Sequence, residues 1–509
     1  MVKQINRLTF VTSIVLFLIS LYVATQCRFT EIDEVYFADA PANLLLNGGW
    51  KSHILWGQFF YQPLHAFLLI PWMFVLGVSH FSVCGFGVFW GLITCLLLVK
   101  YAKDLGFIDK TWQEILVVIG FWALNTFTDY ETFGRPDNLG MLITVIVVYH
   151  FLRHRDIGFW RCLLLGMLLV SVGLYEIPAM ALFFAIVILL SIRDKKEVWM
   201  WIKKGVYFVI GIIAGYIIVC VFYFFNESSS VTNFIGYCFG MNAIVSSKMG
   251  LLGRFWEAYL GNWYITLILL ITLLLLIIRR IQFNKVLAIA LLLIPAVMTL
   301  AGRFVTYYLW IYYIPWIIFI VYTLKEKEKL ATIPITLFVV ASLVFFAVQW
   351  NHTFGHQTGT IKELTIIKKN CKRYFENNKD LIAQYHNVVL SEEQFYYDII
   401  NLHSEVWFQY RKNITQQLDF YNYEAMERSL KPAQQRNALK YINKPVIGNV
   451  IKSYLDNNPI AKYFPEEGIC IYTCDYEKTT SMAFMDHFGY KYECLDSQEE
   501  FSIYQFSKK

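Results

Sequence analysis

The sequence predicts a polytopic α-helical membrane protein of about eleven spans, followed by a C-terminal extracytoplasmic domain of α/β or α+β type. Three observations predict it. Of 509 residues, 57% are hydrophobic and only 16% charged, against about 25% charged in soluble domains. Apolar runs of about 15–22 residues recur between charge clusters, continuous rather than alternating, which selects helices over a closed barrel. The Lys and Arg clusters also fall on one predicted side of those runs.

Taken in order, Lys3 and Arg7 precede an apolar run from Leu8 to about Thr25. That pattern fits a cleaved signal or a retained first helix. Gln26 before Cys27 is no small-residue cleavage site, so a retained helix with a cytoplasmic start is expected. Residues 31–65 are too polar to span and too aromatic for a plain linker. Residues 64–78 follow Pro63 and carry Pro71 at their middle. They are expected to lie in the outer interface or to pack on the bundle. If they spanned, Lys100, Lys103 and Lys110 would fall outside and invert every later cluster.

Further spans are expected near 82–101, 112–128, 138–152, 161–177, 178–193, 205–225, 262–278, 285–301, 304–323 and 331–349. The intervening cytoplasmic turns then hold Arg153, Arg155 and Arg161, then Arg193 to Lys204, then Arg279, Arg280 and Lys285, and finally Lys325 to Lys329. Glu176 and Pro178 mark an outer hairpin in one over-long apolar run. The odd count puts residues 350–509 outside, so the expected domains are 1–349 and 350–509.

The tail is rich in Lys, Glu, Asn, Asp and Tyr and has no spanning run. Strands are expected at Asn387–Leu390, Ile469–Thr473 and Phe501–Phe506. Helices are expected near 360–378, 392–403 and 480–488. Its cysteines 371, 470, 474 and 494 allow one disulfide of undetermined pairing in an oxidising compartment. No catalytic constellation stands out there, and an accessory role in acceptor or partner binding is expected. The net charge of +6 comes mostly from span-flanking residues and gives no nucleic-acid signal, and no CxxC pair suggests a zinc ribbon.

Chemistry-bearing residues gather on the predicted outer side. Asp33 and Glu34 follow the first apolar run. As a bare pair they fit a dipole-favoured helix start as well as an active site. The turn Gly134-Arg135-Pro136-Asp137-Asn138 comes next; Asp137 or Asn138 suits a helix cap, and Arg135 suits either a phosphate or a loop carboxylate. Arg303 with Tyr307 and Tyr308 suits a phosphate head group or an aromatic interface belt with a snorkelling arginine. His53 and His65 are metal-ligand types, though a lone histidine in an aromatic loop is more often structural.

These pieces, with Pro41, Gly48 and Gln62-Pro63-Leu64 between them, resemble the GT-C superfamily of membrane glycosyltransferases. The nearest part is the protein-mannosyltransferase and aminoarabinose-transferase-like group. The resemblance covers most of residues 1–325. It implies transfer of a sugar from a polyprenyl-phosphate-linked donor to an envelope glycan, lipid or protein acceptor outside the cytoplasm. It also implies a lysine before the proline of the first loop, where this chain has Gln62; that phosphate contact then passes to Arg303 or Arg135, with Lys51 a weaker candidate.

The residue types suit inverting transfer. A polyprenyl phosphate leaves readily, so the reaction needs one carboxylate base and charge stabilisation of the departing phosphate. Asp33 is expected to be the base. Glu34 would orient the acceptor, support Asp33 or help hold a cation, and Asp137 would be the second carboxylate. Arg303, with Tyr307 or Tyr308, would meet the phosphate. No cofactor is implied beyond an optional divalent metal cation. The competing readings are an oligosaccharyl transferase or polymerase with a pyrophosphate-linked donor, a lipid or solute transporter, and a scaffold that presents the tail.

Overall fold

Continuous apolar composition produces helices through most of residues 7–224, and short alternating runs produce a sheet in the tail. The computed structural model describes residues 4–26, 32–50, 63–106, 108–127, 134–135, 137–153, 158–170, 195–224, 361–391, 393–408, 465–473, 489–498 and 501–508, with isolated positions besides. The helices are α1 (Arg7–Gln26), α2 (Ile32–Asn47), α3 (Pro63–Leu76), α4 (His80–Asp104), α5 (Thr111–Phe127), α6 (Asp137–Arg153), α7 (Phe159–Val170) and α8 (Lys195–Phe224). The tail adds α9 (Ile361–Ile382), β1 (Asn387–Leu390), α10 (Tyr396–Ile400), β2 (Glu405–Phe408), β3 (Glu467–Tyr472), β4 (Tyr490–Gln498) and β5 (Phe501–Lys508). The expected spans from residue 178 to 193 and beyond residue 262, and the expected boundary near 349, lie outside the described residues. The expected helix at 480–488 is described only at isolated positions.

The chain divides into two compact units. The first takes residues 1–28, 84–218 and 250–361, and the second takes 29–83, 219–249 and 362–509.

In the first unit α1 is polar inside and apolar outside. Thr9, Ser13 and Ser20 are buried, while Leu8, Val11, Val15, Leu18 and Tyr22 form an exposed stripe at helical spacing. The buried hydroxyl of Ser13 donates to the Thr9 carbonyl oxygen at 3.0 Å, within its own helix. Leaving such a stripe in water forgoes about 1.5–3 kcal/mol for each large apolar side chain. Against hydrocarbon that penalty vanishes. The exposed residues Ile202, Val206, Val209, Ile213 and Ile217 repeat the pattern on α8. Three described segments, Arg7–Gln26, His80–Asp104 and Glu197–Gly215, are long and apolar enough to cross a membrane. At 14 residues, α3 falls short of the roughly 20 that a span needs.

Helix direction follows from contacts at both ends. Lys103 near the end of α4 donates to the Gln4 carbonyl oxygen at 2.6 Å and to Glu114 Oε1 at 2.5 Å. The Asn6 backbone N–H donates to Glu114 Oε2 at 3.0 Å. So the start of α1, the end of α4 and the start of α5 share one end of the unit. Asn138 at the start of α6 donates to the Gly87 carbonyl oxygen at 2.8 Å. Near the other end, Tyr149 of α6 stacks on Tyr101 of α4 at 3.7 Å. Thus α4 and α6 run parallel, and Asp137 lies at the end opposite the Lys103–Glu114 pair. Helices α7 and α8 cross backbone to backbone. A Cβ on Gly166 would meet the Phe208 carbonyl oxygen and the Gly211 Cα, the close approach that small residues permit between membrane helices.

In the second unit the sheet order is β2-β1-β3-β5-β4. Strands β2, β1 and β3 are mutually parallel, and β5 pairs antiparallel with β3 and β4. One core packs Val389, Cys470, Tyr472, Met485, Tyr490 and Phe506 together. Tyr374 of α9 stacks on Phe501 at 4.6 Å. Three expected strands form, with ends shifted by one to two residues at β3 and β5; β2 and β4 are additional. Cys470 and Cys494 are free thiols.

Candidate functional site

Two helix starts bear buried acids, one in each unit. Helix α2 opens with the acidic pair, where the helix dipole favours negative charge. Glu34 is completely buried. His80 Nδ1 lies 2.8 and 3.0 Å from its two oxygens, and the Tyr397 hydroxyl donates to Oε1 at 2.6 Å. Five residues on, Asp39 is also completely buried. It accepts from the Tyr396 hydroxyl at 2.7 Å and from Asn43 Nδ2 at 3.2 Å. Burial, with the Asp39 carboxylate beside it, raises the Tyr396 phenol well above its ordinary value, so this hydroxyl is a permanent donor.

The segment after β1 therefore runs along α2. Asn401 Nδ2 donates to the Val78 carbonyl oxygen at 2.9 Å. His403 turns the chain at φ 63°, and its Nδ1–H donates to the Leu46 carbonyl oxygen at 2.8 Å. Leu46 sits in the last turn of α2, where carbonyls lack helical partners. The tail thus ties both ends of the acidic helix.

Successive helical residues are about 100° apart, so Asp33 lies on a different face of α2 from Glu34. Glu34 and His80 are metal-ligand types, but the contact between them is that of a carboxylate–imidazole hydrogen bond. His65 of α3 is buried with its ring edge-to-face on Phe37 at 5.9 Å. Burial lowers its pKa to about 3, so it is a neutral imidazole at physiological pH.

In the first unit the Arg135 turn feeds α6. Arg135 Nε donates to Asp137 Oδ2 at 2.9 Å, and both side chains are buried. Of the two partners weighed for Arg135, a phosphate and a carboxylate, the structure shows a carboxylate, that of Asp137. The Thr94 hydroxyl approaches the Asn138 carbonyl oxygen at 3.4 Å. Asp137 Oδ1 and Asn138 Oδ1 are both buried without a hydrogen-bond partner among the described residues.

Lys51, Gln62, Arg303, Tyr307 and Tyr308 lie outside the described residues, as does His53. The residues that sequence reasoning passed over are Asp39, His80, Tyr396, Tyr397 and Asn401. Compared with protein-family models, curated proteins and solved structures, the chain matches none.

Proposed function

We propose that the protein is an integral membrane glycosyltransferase. It moves a sugar from a polyprenyl-phosphate-linked donor to an envelope acceptor on the extracytoplasmic side, with inversion at the anomeric carbon. The observation that carries the reading is the buried Arg135–Asp137 pair at the start of α6. It lies at the end of the first unit opposite the Lys103–Glu114 pair, with one carboxylate oxygen open. If the lysine end is cytoplasmic, Asp137 faces the outer side, where lipid-linked sugars and envelope acceptors meet. The multi-pass topology of about eleven spans and the outer tail belong to the same proposal.

Roles divide by environment. Asp33 takes the acceptor hydroxyl proton as the anomeric carbon is attacked. Glu34, held by His80 and Tyr397, anchors the helix that carries Asp33 and fixes its position. Arg135 holds Asp137 in place through one oxygen. Arg303 with Tyr307 or Tyr308, and secondarily Gln62 or Lys51, meets the phosphate. On α1 and α4 the charges, such as Arg7, Lys103 and Asp104, sit towards helix ends. On those two helices surface chemistry fits better than a translocation path, which needs charge within the spans; α8 does carry Lys203 and Lys204 within its apolar stretch.

The test supplies the purified full chain, in lipid nanodiscs, with polyprenyl phosphate hexoses labelled in the sugar and a total envelope extract as acceptor. Label leaving the lipid for the extract supports the proposal. Label that stays on every lipid carrier offered contradicts it.

A further inference from the structure

The first turn of α6 carries an arrangement that helix capping does not explain. Asp137 and Asn138 are each 1% exposed. One side-chain polar atom of each is spoken for by geometry. The Arg135 guanidinium holds Asp137 Oδ2 at 2.9 Å, which turns Oδ1 away from the arginine. The Asn138 amide donates through Nδ2 to the Gly87 carbonyl oxygen at 2.8 Å. That bond fixes which way the amide faces, because a carbonyl accepts only from the NH2 side. Asn138 Oδ1 is therefore an acceptor by assignment, not by choice of flip.

Both remaining oxygens are buried and lack a partner among the described residues. Leaving a buried acceptor unmade costs about 1–3 kcal/mol each, more for a charged group. Two such atoms on consecutive residues demand a ligand that donates. An anion, the usual guest of a helix N-terminus, is excluded because the open atoms are acceptors. A divalent cation is disfavoured by the Arg135 guanidinium already on the same carboxylate. Neutral hydroxyl donors suit the pair. We infer that Asp137 Oδ1 and Asn138 Oδ1 form a two-acceptor site for hydroxyls of a sugar ring, with Arg135 and Gly87 fixing its orientation.

The inference rests on the transferase reading for its setting and names the contact the site makes with the sugar. Its test uses binding rather than turnover. The full-length protein in nanodiscs is titrated with a short-chain polyprenyl phosphate hexose, with the same lipid phosphate lacking the sugar, and with single-deoxy forms of the conjugate. A methyl hexoside serves as a soluble competitor. The conjugate is expected to bind at least about tenfold more tightly than the bare lipid phosphate. Loss of one or two particular hydroxyls should weaken it by about 10–100-fold, the range for hydrogen bonds to a charged acceptor. In Asp137→Asn and Asn138→Ala that deoxy discrimination collapses. The deoxy series on the unaltered protein keeps the test valid should a variant fail to fold.

Equal binding of conjugate and bare lipid phosphate, or no binding of either, overturns the inference. So does stabilisation by magnesium, manganese or calcium alone that disappears in Asp137→Asn, because the site is then a cation site. Competition by the methyl hexoside at the conjugate's affinity supports the hydroxyl site and assigns it to an acceptor sugar rather than the donor. Hydroxyl-dependent binding without transfer to any envelope acceptor sinks the transferase reading alone. Transfer without hydroxyl dependence sinks this inference alone.

Discussion

The two acidic helix starts differ in how completely their carboxylates are satisfied. Glu34 and Asp39 of α2 are met by His80, Tyr397, Tyr396 and Asn43 at 2.6–3.2 Å. Asp137 of α6 is met on one oxygen by Arg135, and the other has no partner among the described residues. The first arrangement is what stability requires of a buried charge. The second leaves a buried acceptor without a partner among the described residues, which carries a penalty. A carboxylate already enclosed by tyrosine, histidine and helix has no direction left from which to meet a substrate. Position at a helix start, alike in both, therefore does not settle function; the partner list does.

Several substitutions can break or sharpen that contrast. The largest effect is expected at Asp33, the acid on the other face of α2 from Glu34. Asp33→Asn should lower transfer by about 10²–10⁴-fold, the usual share of a general base, with the unfolding temperature in detergent unchanged. Glu34→Ala should destabilise by about 3–5 kcal/mol, because it leaves buried polar partners without their charge. Thermal unfolding of the solubilised protein measures this, and an unchanged midpoint would put Glu34 on the functional side of the comparison. Tyr397→Phe, which leaves Glu34 its histidine, should destabilise by about 1–3 kcal/mol. Tyr396→Phe should do the same at Asp39, and hydrogen exchange should quicken in α2 as well as in α10.

A further prediction is a pH dependence. His65 titrates near its ordinary 6.5 when unfolded and at about 3 when buried, so the unfolded chain binds the extra proton first. Its contribution is intact above about pH 6.5 and shrinks as pH falls towards 3, by about 1.4 kcal/mol for each unit within that window. A scan of unfolding temperature from pH 7 to pH 5 should show the decline. His65→Phe should flatten it, and equal slopes would assign the acid sensitivity elsewhere.

Much of this frame was legible in the sequence because its signals are local. Strand β1 matches its expected bounds at Asn387–Leu390, since a short apolar run between polar turns leaves little choice. The Arg135–Asp137 pair was legible as a tight turn before a helix. Strand β4 was not. Its residues Tyr490–Gln498 are mostly polar and lie at a sheet edge, so hydrophobic alternation is weak. Nor was the clasp of Tyr396 and Tyr397 on α2, which joins positions 357 and 363 residues apart in the chain. No local pattern announces such a pairing, and the tail read as merely accessory. The one clue lay in α2 itself. Asp39, Asn43 and Asn47 recur every four residues, a polar stripe in an otherwise apolar helix that needed a polar partner.

The most direct test of the division of labour compares Asp33→Asn with Glu34→Gln in one preparation. Both are assayed for unfolding temperature and for release of labelled sugar from polyprenyl phosphate hexose into envelope extract. The account predicts that Asp33→Asn unfolds with the wild type and transfers at least about 100-fold more slowly, while Glu34→Gln unfolds at a clearly lower temperature. Wild-type transfer by Asp33→Asn would contradict it.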